Sequence, residues 1–93
     1  MSGATVVPGV PRRTWGIRIR RTQDGLTLGI ADQAILLDGV AQEVYTALDG
    51  RTTVEQIADA IAAKHGIERG EVLGDVVDLL EQLGQVGVVD WVE

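Results

Sequence analysis

The sequence predicts an α+β fold in which a three-stranded antiparallel meander precedes three helices. Three observations lead to this prediction. Apolar and polar residues alternate between Trp15 and Ile30, three later segments carry apolar residues at helical spacing, and a glycine-bearing break follows each of those segments. A chain of 93 residues with 45% hydrophobic content has room for one hydrophobic core. We therefore expect a single small domain.

The strands are predicted from residue alternation and from turn residues. Apolar and polar residues alternate from Trp15 to Arg20, which indicates a strand with one apolar and one solvated face. The dipeptide Asp24-Gly25 favours a tight hairpin turn, and a second alternating segment runs from Leu26 to Ile30. After a polar break, the short apolar run Ala34 to Leu37 predicts the third strand.

The N-terminal segment has a different character. Residues 1–13 contain both prolines, two glycines and no apolar periodicity. We expect residues 1–13 to be a flexible segment and residues 14–93 to form the domain.

The first two helices carry start and stop signals. Asp38 is placed to cap the first helix, which should end at Asp49-Gly50. Two capping boxes are available for the second helix, Thr52 with Glu55 or Thr53 with Gln56, and the sequence leaves the choice open. Gly66 is expected to end this second helix.

The third helix is predicted from Glu68 or Arg69 to about Leu83, with an unusually broad apolar arc. At 100° per residue its apolar residues span about 180°, more than the stripe of roughly 100° that packing on one core requires. The excess indicates a surface for a partner, although a dimer interface or thorough core packing would also explain it. Residues 86–91 could add a short strand or simply cover the core, and both alternatives stay open.

Charge is divided unevenly along the chain. Residues 1–23 hold five of the eight basic residues and no acid, whereas all fourteen acids follow and the net charge is −6. An acidic domain repels a phosphate backbone unless its basic face is separate, so nucleic-acid binding is disfavoured. Arg18, Arg20 and Arg21 are most simply explained as a solvated strand that resists sheet aggregation.

No chemistry-bearing motif was found. The chain has no cysteine, its single His65 has no second ligand at metal spacing, and the glycines do not form a phosphate loop. No apolar run reaches the roughly 18 residues that a membrane span needs. We expect a cytoplasmic protein that is not an enzyme and uses neither metal nor cofactor.

Three short strands followed by three helices form a winged-helix-like arrangement, and four segments of the chain resemble one family. The segments are Ala34-Ile35-Leu36-Leu37-Asp38, Leu48-Asp49-Gly50-Arg51-Thr52-Thr53-Val54-Glu55-Gln56-Ile57, Asp75-Val76 with Leu79-Leu80 and Leu83, and Gly87-Val88-Val89. They resemble the PqqD family over roughly Trp15 to Val89. The Asp-Gly-x-Thr-Thr helix start and the Asp-Val-x-x-Leu-Leu-x-x-Leu helix are the most specific parts.

The resemblance implies a non-catalytic peptide chaperone, the recognition element of pathways for ribosomally made, modified peptides in natural product biosynthesis. In such a module the leader segment of the precursor peptide adds as a strand to the sheet edge and rests against the last helix. Carried over by position, the peptide-binding residues are Gln33, Ala34, Ile35, Leu36, Leu37, Val72, Asp75, Val76 and Leu79, extended by Leu80 and Leu83. The implied partners are the leader peptide and a peptide-modifying enzyme, often a radical S-adenosylmethionine enzyme.

Two other functions are compatible with parts of the sequence. A winged-helix DNA-binding regulator would need a basic recognition helix, but the third helix carries only Arg69 against four acids between Glu71 and Glu81. A structural dimerisation module would account for the broad apolar arc without any peptide. We expect no nucleic-acid or membrane partner, and either a monomer or a homodimer is compatible with the sequence.

Overall fold

A computed structural model describes residues 9–92 of the chain and contains two small sheets and three helices. The elements are β1 (Val10–Arg13), β2 (Arg18–Thr22), β3 (Gly25–Ile30), β4 (Gln33–Leu37), α1 (Gly39–Ala47), α2 (Val54–His65), α3 (Arg69–Gln85) and β5 (Val89–Val92). The predicted α+β fold, an antiparallel meander followed by three helices, is confirmed.

One face of the meander β2-β3-β4 is apolar and packs on the core. Leu28 pairs with Ile35, and Leu26 pairs with Leu37, so these four side chains share the inner face of the sheet. Three of them are buried and Ile35 is half-buried. Because the strand order is β2-β3-β4, β2 and β4 are the two edge strands, and among residues 9–92 each has one side that pairs with no strand.

The first predicted strand differs from the observed one. Strand β2 begins at Arg18 and all five of its residues are exposed, while Trp15 lies outside it with 94% of its surface accessible. Gly16 has a φ of 87°, which breaks the extended backbone just before the strand. The alternation that starts at Trp15 therefore runs across a turn, and the prediction that Trp15 opens the strand is wrong.

The second sheet joins the two ends of the described chain. Strand β1 pairs antiparallel with β5, and residues 86–91, which the sequence left undecided, include most of β5. The expectation that residues 1–13 lie outside the fold is wrong for residues 10–13, while residues 1–8 lie outside the described residues. Pro11 is compatible with this sheet because β1 has only one partner strand, so the missing N–H can face away from the ladder.

The helix ends lie within about two residues of the local signals, and α1 ends at Ala47, before the predicted stop at Asp49-Gly50. Asp38 is the N-cap residue of α1, although its side chain makes no capping hydrogen bond. Of the two possible boxes for α2, Thr53 with Gln56 forms, and Gly66 takes the left-handed conformation at the other end. Helix α3 begins at Arg69 after the N-cap Glu68 and ends at Gln85, two residues beyond the prediction.

Strands β3, β4 and β5 and the three helices contribute to one core. The buried residues of α1, α2 and α3 form a single cluster with Leu26, Leu28 and Leu37 of the meander. Tyr45 is fully buried, and its hydroxyl donates a hydrogen bond of 3.1 Å to the backbone oxygen of Val88. Burial raises the pKa of Tyr45. This bond ties α1 to the segment that leads into β5.

Candidate functional site

The side of β4 that faces away from β3 has backbone groups that pair with no strand in the described part of the chain. The two-residue turn at residues 31 and 32 makes Ile30 and Gln33 the closing pair of the β3–β4 hairpin. Hydrogen-bonded and non-hydrogen-bonded pairs alternate along an antiparallel ladder. Gln33, Ile35 and Leu37 therefore bond to β3, whereas Ala34 and Leu36 direct their N–H and C=O groups outward. These two residues can pair with an added strand.

A glycine keeps the end of β4 close to β3. Gly25, the first residue of β3, has a φ of 143°, and a Cβ atom there would collide with the backbone oxygen of Leu37. The site therefore requires glycine at this position, because any side chain would push Leu37 away from its partner strand. The register of β4 depends on this close approach.

The side chains of β4 alternate between core and solvent. Leu37 is buried and Ile35 is half-buried on the inner face, while Gln33, Ala34 and Leu36 are exposed. Leu36 is 55% exposed on the outer face. The predicted edge thus offers accessible backbone together with one large apolar side chain.

The structure divides the predicted helix wall into two groups. Val72, Val76, Leu80 and Leu83 are buried in the core, whereas Asp75 is exposed and Leu79 is half-buried. Of these six residues only Asp75 and Leu79 are accessible at the surface, and the four buried residues pack underneath. On the helix, Asp75 and Leu79 lie on one flank of the buried stripe, and Leu73 and Val77 lie on the other.

The edge strand and the helix are held by the same core. Ile35 and Leu79 both pack against the cluster that contains Leu37 and Val76. Helix α3 is therefore on the inner side of the meander. A strand added along β4 would place every second side chain on that inner side.

Among residues 9–92 the exposed acids Asp75 and Asp78 of α3 have no ion-pair partner, whereas the nearby cation Arg69 has two. Arg69 contacts Asp59 and lies 3.8 Å from Glu55, both on α2. Hydrogen bonding and charge attraction from Asp59 raise the pKa of Arg69. Within residues 9–92, neither Asp75 nor Asp78 forms an ion pair. Their negative charges remain available to a basic ligand.

A groove lies between α1 and α2, and the sequence did not predict it. Its volume is about 430 Å³, and it is lined by Arg21, Gln42, Glu43, Thr46, Ala47, Thr52, Gln56, Ile57, Ala60, Ile61 and Lys64. At one end, Glu43 accepts hydrogen bonds of 2.7 Å from Lys64 and from the Nε2 atom of His65. No local signal could have revealed this groove, because its walls come from three separate elements.

The Glu43 cluster predicts a specific acid sensitivity. The hydrogen bond from Lys64, followed by that from His65, lowers the pKa of Glu43 below its ordinary 4.5. A carboxyl with a lowered folded-state pKa stabilises the fold above its unfolded pKa, and this stabilisation is lost as the pH falls through the folded value. We expect the Glu43→Gln variant to show a smaller fall in denaturation midpoint than the parent between about pH 5 and pH 3. Parallel acid limbs in urea titrations of the two proteins would contradict this expectation.

His65 takes part in this cluster through its Nε2 atom. Among residues 9–92, no group of three or more His, Cys, Asp or Glu side chains is placed to hold a metal ion. His65 is in the last turn of α2, where a cation compensates the negative end of the helix dipole. Within the same described part of the chain, no helix has the length and apolar character needed to cross a membrane.

The fold and this edge define a class: a small α+β domain with an open strand edge on the meander that packs against its three helices. The chain belongs to the PqqD family, since the family model described as "Coenzyme PQQ synthesis protein D (PqqD)" matches residues 24–89. This match covers α1, α2 and α3 together with β3 and β4.

Known relatives agree with this assignment. A PqqA binding protein of Rhodopseudomonas palustris strain BisB5 is 29% identical over 80 residues, which cover 86% of this chain and 78% of the relative. A homologue from strain HaA2, also a PqqA binding protein, is 28% identical with the same coverage of both chains.

Two solved structures have the same fold. One is the solution NMR structure of the PqqD truncation of Methylobacterium extorquens PqqCD, a functional and stand-alone recognition element for ribosomally synthesised and post-translationally modified peptides. It is 29% identical with a TM-score of 0.76, and the match covers 87% of this chain and 88% of that one. The crystal structure of PqqD from Xanthomonas campestris is 25% identical with a TM-score of 0.57, and the match covers 91% and 93% of the two chains.

Proposed function

We propose that this domain is a non-catalytic adaptor that binds the leader segment of a ribosomally made precursor peptide and presents it to a peptide-modifying enzyme. The observation that carries the proposal is the open edge of β4, where Ala34 and Leu36 have outward backbone groups that pair with no strand among residues 9–92. Membership of the PqqD family and the functions of the PqqA binding relatives support it.

Binding by strand addition fits the physical chemistry of this edge. The peptide backbone would bond to Ala34 and Leu36, which provides affinity with little dependence on side chains. Alternate peptide side chains would turn toward the inner side of the sheet, where α3 packs, and contact with Leu79 would select for apolar residues. Selectivity and affinity thus come from two different parts of the site.

Presentation needs no catalytic residue in this chain. A leader held by the adaptor converts the meeting of core peptide and enzyme into an intramolecular event, and the effective concentration can reach the millimolar range for a short flexible link. We propose a radical S-adenosylmethionine enzyme as the partner, because the sequence resemblance implies this class.

Calorimetric titration of the chain tests this function. Synthetic leader segments encoded beside its gene should bind saturably, whereas the same residues in scrambled order should bind much more weakly. Duplex DNA serves as a second control, because α3 has one cation and several acids and should repel phosphate. Equal affinity for leader and scrambled peptides, or tighter binding to DNA, would refute the proposal.

The acids of α3 lead to a prediction about the leader itself. Asp75 is exposed on the same flank of α3 as Leu79, so it favours a leader with Lys or Arg close to its apolar anchors. We expect Asp75→Asn to weaken the binding of such a leader by up to about fivefold at low salt, since an exposed ion pair contributes about 0.2–1 kcal/mol. Glu81→Gln makes the same charge change about 120° further around the helix and should leave affinity unchanged. Unchanged leader affinity of Asp75→Asn at low ionic strength would eliminate this role.

A further inference from the structure

Strand β2 is the second open edge of the meander, and its composition differs sharply from that of β4. All five of its residues are exposed, including Arg18, Arg20 and Arg21. Ile19 on the same strand is 46% exposed, and Trp15 in the preceding turn is 94% exposed. We call Trp15 together with residues 18–21 the basic edge.

The cations of the basic edge are not neutralised by the rest of the domain. Among residues 9–92, Arg20 and Arg21 form no ion pair, whereas Arg12, Lys64 and Arg69 each do. Arg18 donates a hydrogen bond of 3.0 Å to the backbone oxygen of Ala31, which fixes its side chain across the sheet but leaves its charge uncompensated. The domain thus concentrates positive charge on one strand although its net charge is −6.

Trp and Arg are the residue types that dominate binding energy at protein interfaces. A tryptophan exposed to this extent leaves a large apolar surface in water, and burying it in a partner would recover that hydrophobic free energy. The arginines of the strand that follows, which form no ion pair among residues 9–92, favour a partner with acidic groups, because opposite charges steer association and fix its orientation. The surface therefore fits an acidic protein patch with an apolar pocket.

The position of the basic edge allows a partner and a leader to bind together. Edges β2 and β4 are separated by β3, and neighbouring strands lie about 4.8 Å apart, so the two edges are about 10 Å apart on opposite sides of the sheet. A protein at β2 would not compete with a peptide strand at β4. Simultaneous engagement is what delivery of a tethered peptide requires.

We propose that the basic edge is the docking surface for an acidic patch on the peptide-modifying enzyme. The proposal rests on the proposed function, since it names the surface through which the adaptor reaches its enzyme. The leader occupies one edge of the meander and the enzyme occupies the other. The domain then joins the two through opposite edges of one sheet.

The test compares two double variants with equal net charge. Arg20→Gln with Arg21→Gln removes two cations from the basic edge, and Arg51→Gln with Arg69→Gln removes two from elsewhere on the surface. Each protein is titrated with the peptide-modifying enzyme encoded beside this gene and, separately, with leader peptide. Far-UV circular dichroism melts establish that both variants are folded.

We expect the basic-edge variant to bind the enzyme at least about tenfold more weakly, with leader affinity unchanged, and the control variant to behave like the parent. Trp15→Ala should produce a loss of similar size. Binding of the parent should also weaken with added salt, because screening shortens the range of the attraction to about 3 Å at 1 M.

Several results would overturn the proposal. One is equal enzyme affinity of the basic-edge and control variants, and another is a parent protein that binds the leader but not the enzyme. Tighter binding to duplex DNA or to phosphatidylglycerol vesicles, lost in the basic-edge variant, would assign the surface to those partners instead. A parent that fails to bind leader would refute the proposed function separately.

Discussion

Replacing Ala34 or Leu36 by proline should weaken leader binding by at least about tenfold while the fold survives. Both residues direct their N–H groups away from β3, so proline removes a donor that only an added strand would use. The loss of one hydrogen bond costs about 0.5–1.5 kcal/mol, and the proline ring also obstructs close approach of the peptide backbone. Calorimetric titration with leader peptide measures the effect directly.

Ile19→Pro is the matched control for these variants. Ile19 occupies the equivalent outward-facing position on β2, where the two-residue turn at residues 23 and 24 makes Thr22 and Gly25 the closing pair. We expect leader affinity to be unchanged in this variant, because the peptide adds to β4. If Ile19→Pro lost leader affinity while Leu36→Pro bound normally, the peptide would add to β2 and not to β4. That result would contradict the account.

The second large effect is expected at Leu79. This side chain is half-buried on α3, on the flank that also carries Asp75. If it packs against apolar anchors of the leader, Leu79→Ala should remove about 2 kcal/mol of binding free energy, or about thirtyfold in affinity. Fluorescence anisotropy of a labelled leader peptide provides the dissociation constants.

Leu73→Ala is the matched control, because it makes the same leucine-to-alanine change on the same helix. Leu73 is also a half-buried leucine of α3, but it lies on the opposite flank of the buried stripe. Both variants should lower thermal stability by similar amounts, whereas only Leu79→Ala should lower leader affinity. Equal losses of affinity in the two variants would mean that the effect arises from general destabilisation and would remove Leu79 from the site.

The elements with local signals were predicted well from the sequence. The stripe of α2, which consists of Val54, Ile57, Ala58, Ile61 and Ala62, is buried throughout. Gly66 ends this helix in the left-handed conformation, as the predicted stop signal requires. Helix caps and apolar periodicity depend on residues close together in the chain. The sequence alone is therefore enough to predict these helices.

Long-range contacts explain what the sequence did not reveal. Strand β1 pairs with β5, which lies near the other end of the chain. Both strands are too short for an alternating pattern to predict this pairing. The exposure of Trp15 likewise depends on where the turn at Gly16 directs the chain. Pairing and exposure of this kind are properties of the assembled tertiary structure.

The site was predicted in outline but not in detail. Its sheet edge followed from the order of the strands, and the broad apolar arc of α3 pointed to the helix. The arc did not distinguish Val72 and Val76, which the core buries, from Leu79, which remains partly accessible. That distinction depends on the rotation of α3 against α2 and the sheet, which periodicity alone does not determine.

Amide hydrogen exchange by NMR, with and without saturating leader peptide, tests strand addition at β4 most directly. In the free protein the outward amides of Ala34 and Leu36 should exchange quickly, while those of Ile35 and Leu37 are already protected by β3. Leader binding should slow exchange at Ala34 and Leu36 strongly and leave the outward amides of Ile19 and Arg21 unchanged. New protection at Ile19 and Arg21, or bound leader with no new protection on β4, would contradict the account.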